Sequence, residues 1–181
     1  MTVLLTGGTG FLGSHVAERL SKAGRPVRAL VRKTSDTRFL KELSNVELCE
    51  GAVDDRESLL RAAEGVTAVV HVAGLVKART PEEFFEINTE GTKNALDAAR
   101  RAGSSLRRFV LVSSLAAAGP SDSEGRPVQC DAEPRPVTHY GKSKLAAERA
   151  ALAAKNELPV TILRPPAIYG PRDREILAFF K

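Results

Sequence analysis

The sequence predicts an α/β fold, a parallel, doubly wound sheet with helices on both faces. Three observations predict it. Short apolar runs alternate with longer stretches at helical spacing, which implies βαβ units. The runs are almost continuously apolar rather than alternating, as in strands covered on both sides. A glycine-rich turn, "TGGTGFLG" (6–13), separates the first run from the first helical stretch. Right-handed crossovers then favour strand order 3-2-1-4-5-6.

Each element has its own signal. "TVLLTG" (2–7) is a buried strand ending in glycine, and "FLGSHVAERLSKAG" (11–24) is a helix closing on Gly24. "PVRALVR" (26–32) is the second strand and "VELCEG" (46–51) a short third. "DRESLLRAAEG" (55–65) is a helix stopping at Gly65, and "TAVVHVAG" (67–74) is a β-branched fourth strand. One long helix is expected over 80–103: Thr80 caps it, Pro81 takes its first position, and two glutamates suit its dipole. "RRFVLVSS" (107–114) is the fifth strand, and a Pro/Asp/Ser/Gly-rich loop follows over 119–138. A helix from about 138 to 155 leads to "PVTILRP" (159–165), the sixth strand. The final "EILAFFK" reads as the opening of another helix.

With 181 residues, the chain reads as one domain. Hydrophobic residues make up 43% and charged residues 27%, a globular balance with no run long enough to span a membrane. No secretory leader is evident, so a cytoplasmic location is expected. Cys49 and Cys130 fit neither a disulfide framework nor a metal motif, and His15, His71 and His139 lack ligand spacing; no metal is expected. The net charge of +5 is dispersed without interleaved aromatics, which argues against a nucleic-acid partner.

The glycine turn carries the first chemistry. Gly8, Gly10 and Gly13 fit G-x-G-x-x-G, and Gly7, Gly10 and Gly13 fit a G-x-x-G-x-x-G variant. Between a strand and a helix, such glycines let the backbone approach a pyrophosphate, which the helix amino terminus then faces with free N–H groups. The second strand ends in Arg32-Lys33 instead of the acid that would bond a ribose 2′-hydroxyl, and the nearest acid, Asp36, lies beyond it. A guanidinium suits a 2′-phosphate, so NADP is expected, with NAD as the alternative.

Tyr140 and Lys144, in "YGKSK" (140–144), lie one turn apart on one helical face. A phenol titrates near 10 and is a poor acid or base at neutral pH. An adjacent ammonium is expected to lower that value. Ser113 and Ser114 end the fifth strand at the sheet's carboxyl edge, where either could meet Tyr140.

Six segments in order, "TGGTGFLG", "HVAG" (71–74), "NTEGT" (88–92), "VSSLAAAG" (112–119), "YGKSK" and "LRPPAIYGP" (163–171), resemble an extended short-chain dehydrogenase/reductase of the NAD-dependent epimerase/dehydratase family. The resemblance implies a Rossmann domain over 1–181 and a catalytic Ser114, Tyr140 and Lys144. Tyrosine would be the general acid/base. Lysine would lower its pKa and bond the nicotinamide ribose, and serine would orient the substrate oxygen. Cofactor contacts would come from Gly7, Gly10, Phe11, Leu12, Gly13, Arg32, Val53, Ala73, Gly74, Tyr140, Lys144, Pro165 and Ile168. Asn88 would be architectural.

Three departures matter. Relatives often carry an aspartate on adenine where this chain has Ala52, leaving that task to backbone groups or Asp54. Ala118 replaces a tyrosine frequent in sugar epimerases, and Leu115-Ala116 replace the acidic pair of sugar dehydratases. The chain therefore resembles the dihydroflavonol-reductase and hydroxysteroid-dehydrogenase-like branch, and reduction of a small carbonyl compound, or oxidation of the alcohol, is expected. The alternatives are a nucleotide-sugar epimerase or dehydratase and a non-catalytic dinucleotide-binding module. Finally, family members usually continue past "YGPRD". The C-terminal substrate portion is thus expected to be absent or truncated, leaving Phe179-Phe180 exposed. A homodimer built on the two long helices is possible by analogy.

Overall fold

Six short apolar strands assemble into one parallel sheet in the order β3-β2-β1-β4-β5-β6. The structure is a computed structural model that describes residues 1–121 and 125–173. The strands are β1 (Val3–Thr6), β2 (Val27–Val31), β3 (Val46–Glu50), β4 (Ala68–His71), β5 (Arg108–Val112) and β6 (Val160–Leu163). The order reverses between β1 and β4, which opens a crevice at their carboxyl ends. Among the described residues, no helix is long and apolar enough to cross a membrane.

Helices cover both faces. On one, α1 (Phe11–Lys22) and α2 (Arg38–Lys41) bury Ala17 and Leu40 against Leu5, Ala29 and Val31. On the other lie α3 (Arg56–Ala62), α5 (Gly91–Arg101) and α7 (His139–Ala153). Leu59, Ala95, Ala99, Ala147 and Ala151 pack there on Leu4, Val69, Phe109 and Leu111. The alanines present small surfaces, so helices and sheet approach closely.

Three local features differ from the expected elements. The segment expected as one helix is composite: α4 (Pro81–Phe84), a π-helical turn over Phe85–Glu90, then α5. Its start is as expected, with Thr80 Oγ1 accepting the Glu83 amide at 3.4 Å. The π turn carries Asn88, which is fully buried. A short helix α6 (Leu115–Ala118) follows Ser114 at once, between the expected strand ending at 114 and the expected loop over 119–138, where no element was expected. The small α2 was not expected at all. The expected helix in "EILAFFK" and the pair Phe179-Phe180 lie outside the described residues.

Candidate active site

Every expected site residue except Val53 and Arg32 meets at the carboxyl edge of β1, β4, β5 and β6; those two lie toward the adenosine side, after β3 and β2. The glycine turn follows β1. Gly7 has φ of +72°, and a Cβ there would come within 2.6 Å of the Ala73 nitrogen. A Cβ on Gly13 would collide with the Gly7 carbonyl oxygen. Gly8 and Gly10 have ordinary φ and room for a Cβ after a small adjustment, so Gly7 and Gly13, the glycines of the second spacing that meet backbone, are the required ones. Gly10 starts α1 without any side-chain cap, and no acid stands in the first turn. The free N–H groups of Phe11, Leu12 and Gly13 and the helix dipole favour an anion there, so this end of the groove fits the pyrophosphate of a dinucleotide.

At the other end, Ser114 caps α6 and accepts the Ala116 amide at 3.1 Å. Its hydroxyl also acts on the Tyr140 phenol, favouring the phenolate. Ser113 is buried, and its hydroxyl has no partner among the described residues, which assigns the contact with tyrosine to Ser114. Thr138 caps α7, accepting the Gly141 amide at 2.9 Å, and so fixes where Tyr140 begins the helix.

Burial pushes the Tyr140 phenol above its usual pKa, and the Ser114 hydroxyl only partly opposes this. The expected lowering by Lys144 is not what the site does: desolvation of the phenol dominates. Lys144 is 3% exposed, and burial brings its ammonium down to about 8 while Glu148 pulls it up. Its Nζ donates to the Val112 carbonyl at 2.8 Å.

A hydrogen-bond network centred on Asn88 braces the helix that carries this lysine. Asn88 accepts the Leu75 amide at 2.7 Å, and donates to the Leu75 carbonyl and to Ser143 Oγ, both at 3.0 Å. Ser143 in turn donates to the Tyr140 carbonyl at 2.8 Å. A Cβ on Gly74 would lie 2.9 Å from Asn88 Oδ1 and 3.7 Å from Lys144 Nζ, so glycine lets both approach the groove wall. Asn88 thus braces the first turn of α7 against the strand-end segment. One turn beyond Lys144, Glu148 is 1% exposed and takes a forked contact from Arg164, at 3.0 Å to Nε and 2.7 Å to Nη2. The i,i+4 spacing of Lys144 and Glu148 was the available signal.

These charges predict a pH response. Activity that needs a charged Lys144 in the free protein falls as pH rises through about 8. Glu148→Gln removes the nearby negative charge, so Lys144 loses its proton more readily and the alkaline limb moves to lower pH. A pH profile of kcat/KM checks this, and an unmoved limb would exclude the coupling.

The remaining residues fall into place around this centre. Pro165 accepts the Leu115 amide at 3.0 Å, which ties the segment after β6 to α6, and Ile168 is exposed. The Ala73 amide donates to Thr6 Oγ1 at 3.2 Å beside the glycine turn. Val53 turns its side chain into the core against Gly91, and its carbonyl accepts from Asn94 at 2.9 Å. Ala52 uses its amide and carbonyl on the Ser58 hydroxyl, at 3.1 and 3.2 Å, and Asp54 stands exposed. Arg32 is exposed just past β2, while Asp36 is forked onto Arg38 at 2.7 and 3.0 Å.

Sheet order, uncapped helix terminus and hydroxyl–phenol–ammonium edge together define a dinucleotide-binding Rossmann protein of the short-chain dehydrogenase/reductase type. A model of the NAD-dependent epimerase/dehydratase family matches residues 3–179, and the chain belongs to that family. It is 42% identical to "Ceramide reductase" of Caulobacter vibrioides, across 99% of this chain and 50% of that protein. With "Sterol demethylase protein B" of Methylococcus capsulatus it shares 38% identity, across 96% of this chain and 53% of that protein. A crystal structure of UDP-glucuronic acid 4-epimerase from Bacillus cereus in complex with NAD superposes with TM-score 0.85 at 26% identity, covering 99% of this chain and 61% of that one. The chain spans about half the length of the curated relatives it matches.

Proposed function

We propose that this chain is the cofactor-binding and catalytic portion of an NAD(P)-dependent oxidoreductase that interconverts a ketone and a secondary alcohol. One observation carries the reading: the Ser114 hydroxyl acts on the Tyr140 phenol, with buried Lys144 one turn along the same helix, at the end of a groove opened by an uncapped glycine turn.

A nicotinamide dinucleotide, when bound, supplies the hydride for the carbonyl carbon. The chain's own residues handle the oxygen. With its pKa raised, Tyr140 keeps its proton at neutral pH and stands as an acid. It gives that proton to the carbonyl oxygen as the C=O π bond breaks, forming the new O–H bond. Ser114 holds the same oxygen, and Lys144 in its charged form would bond the ribose of the nicotinamide. In the oxidative direction the phenolate takes the alcohol proton back.

The proposed substrate carries its carbonyl on a largely apolar body. The names of the two bacterial relatives support this, as do the exposed apolar residues Leu115, Val137 and Ile168 next to Ser114, Tyr140 and the segment after β6. The test follows cofactor oxidation with long-chain keto amides, 3-keto sterols and small ketones, beside UDP-sugars. Net cofactor oxidation with an apolar ketone is the expected result. UDP-sugar turnover without net cofactor consumption would replace this reading by the epimerase one, which the NAD-bound epimerase likeness favours.

NADP is the proposed cofactor, because Arg32 is exposed beyond β2 and Asp36 is engaged with Arg38. Arg32→Ala is expected to weaken NADPH binding about ten- to a hundred-fold, the worth of a charge-assisted bond, and to leave NADH within about two-fold. Titration with both cofactors checks this, and an equal loss for both would contradict the phosphate role.

A further inference from the structure

Arg172 lies outside the six motifs, yet its surroundings are built around it. Its backbone is left-handed, with φ of +72°, a conformation that a non-glycine residue keeps only where its environment demands it. Its guanidinium reaches two helices. Nε donates to Ser14 Oγ at 3.0 Å, and Nη2 donates to His15 Nδ1 and to Glu18 Oε2, both at 2.7 Å. The same group stacks 4.2 Å from the centre of the Phe39 ring on α2.

Arginine only donates, so His15 Nδ1 is the acceptor in this pair. The other ring nitrogen then carries the proton and donates to the Pro171 carbonyl at 2.8 Å. Phe11, the first residue of α1, sets its ring edge-on to His15 at 5.4 Å, and its Cζ lies 3.9 Å from a Cβ placed on Gly170. The stretch 170–172 is therefore fastened along α1, the helix whose amino terminus opens on the glycine turn.

The other end of the same segment is also fixed. Leu163 accepts the Ser113 amide at 2.7 Å, and Pro165 accepts the Leu115 amide at 3.0 Å, on either side of Ser114. Between the two anchors, residues 166–169 are exposed. The chain thus runs from the catalytic serine to the pyrophosphate-facing helix, attached at both ends and exposed in the middle.

We propose that Arg172 is a positioning residue that clamps the 165–171 segment across the groove and thereby governs how firmly a dinucleotide is held. This rests on the reading of the groove as a dinucleotide site. A purely stabilising role fits the position poorly. The Arg172 side chain is 30% exposed, and Glu18 keeps Lys22 at 2.6 Å if the arginine is removed, so the pair contributes little to global stability. What Arg172 joins is the segment to α1 and α2.

The test compares the wild-type chain with Arg172→Ala and Arg172→Lys. Hydrogen exchange is measured without cofactor, and NADH and NADPH dissociation by stopped flow. In Arg172→Ala, amides of 166–173 are expected to exchange about ten-fold faster while those of β1 and α7 do not change, as in a local opening. Cofactor dissociation is expected to quicken about ten-fold at nearly unchanged melting temperature. Arg172→Lys keeps the charge but not the fork and is expected to fall between. Faster segment exchange together with faster dissociation supports the clamp. Unchanged exchange, or faster exchange with unchanged dissociation, overturns it, as does a lysine variant indistinguishable from wild type. A wild-type chain that takes up neither cofactor overturns the clamp together with the groove reading; the exchange result shows separately whether Arg172 holds the segment.

Discussion

Tyr140→Phe is expected to lower turnover roughly a thousand-fold while leaving cofactor affinity nearly unchanged. The phenylalanine keeps the ring that packs near Phe84, at 6.1 Å between centroids, so α7 has no reason to move. Thr138 still caps the helix, and Ser143 still bonds the backbone carbonyl of residue 140. Only the hydroxyl is lost, with the proton it delivers and its interaction with Ser114. Steady-state kinetics beside a cofactor titration separate the two effects. A variant that binds cofactor and retains about a tenth of wild-type turnover would remove Tyr140 from the proton transfer. Ser114→Ala is the natural companion, because Ser114 also caps α6 and its loss perturbs that helix as well.

Gly13→Ala is expected to abolish dinucleotide binding and to cost about 3 kcal/mol of stability, the scale of an overpacked interior site. The added methyl would meet the Gly7 carbonyl oxygen and stand 2.9 Å from Gly8 Cα, and both are backbone atoms with no rotamer to yield. Something in the turn must shift, and the turn is also pinned against Ala73 through Gly7. Because Gly13 sits in the first turn of α1, any shift moves the N–H groups that face the anion. Denaturant unfolding and calorimetric titration measure the two consequences. A variant of wild-type stability that binds cofactor normally would show that the close approach within the turn has no energetic meaning. Gly10→Ala provides the contrast, since its Cβ would lie 3.4 Å from the Gly7 oxygen, tight but accommodated by a small adjustment.

Much of this was legible in the chain itself. The six strands and their order followed from apolar runs, glycine stops and the handedness of crossovers. The glycine turn announced its site through its place between strand and helix. The parts that escaped share a physical reason. The helices α2 and α6 have four residues each, too few to show a period. The π turn at Phe85–Glu90 breaks the 3.6-residue rhythm without any proline or glycine to mark it, and its occupant Asn88 is explained only by partners at positions 75 and 143. Glu148 has no local signal of burial; it is covered by its contact with Arg164, which arrives from the end of β6. Tyr140 shows the same limit in its chemistry. Spacing placed a cation near the phenol, but the degree of burial, which no local pattern encodes, decided the direction of its shift. Arg172 escaped because its partners lie more than 130 residues away in sequence, on α1 and α2.

The most direct test of the central claim is calorimetric titration of the chain with NADPH and NADH, with folding confirmed by circular dichroism. The account predicts saturable binding, tighter for NADPH, retained in Tyr140→Phe and lost in Gly13→Ala. A folded wild-type chain that takes up neither cofactor would contradict it.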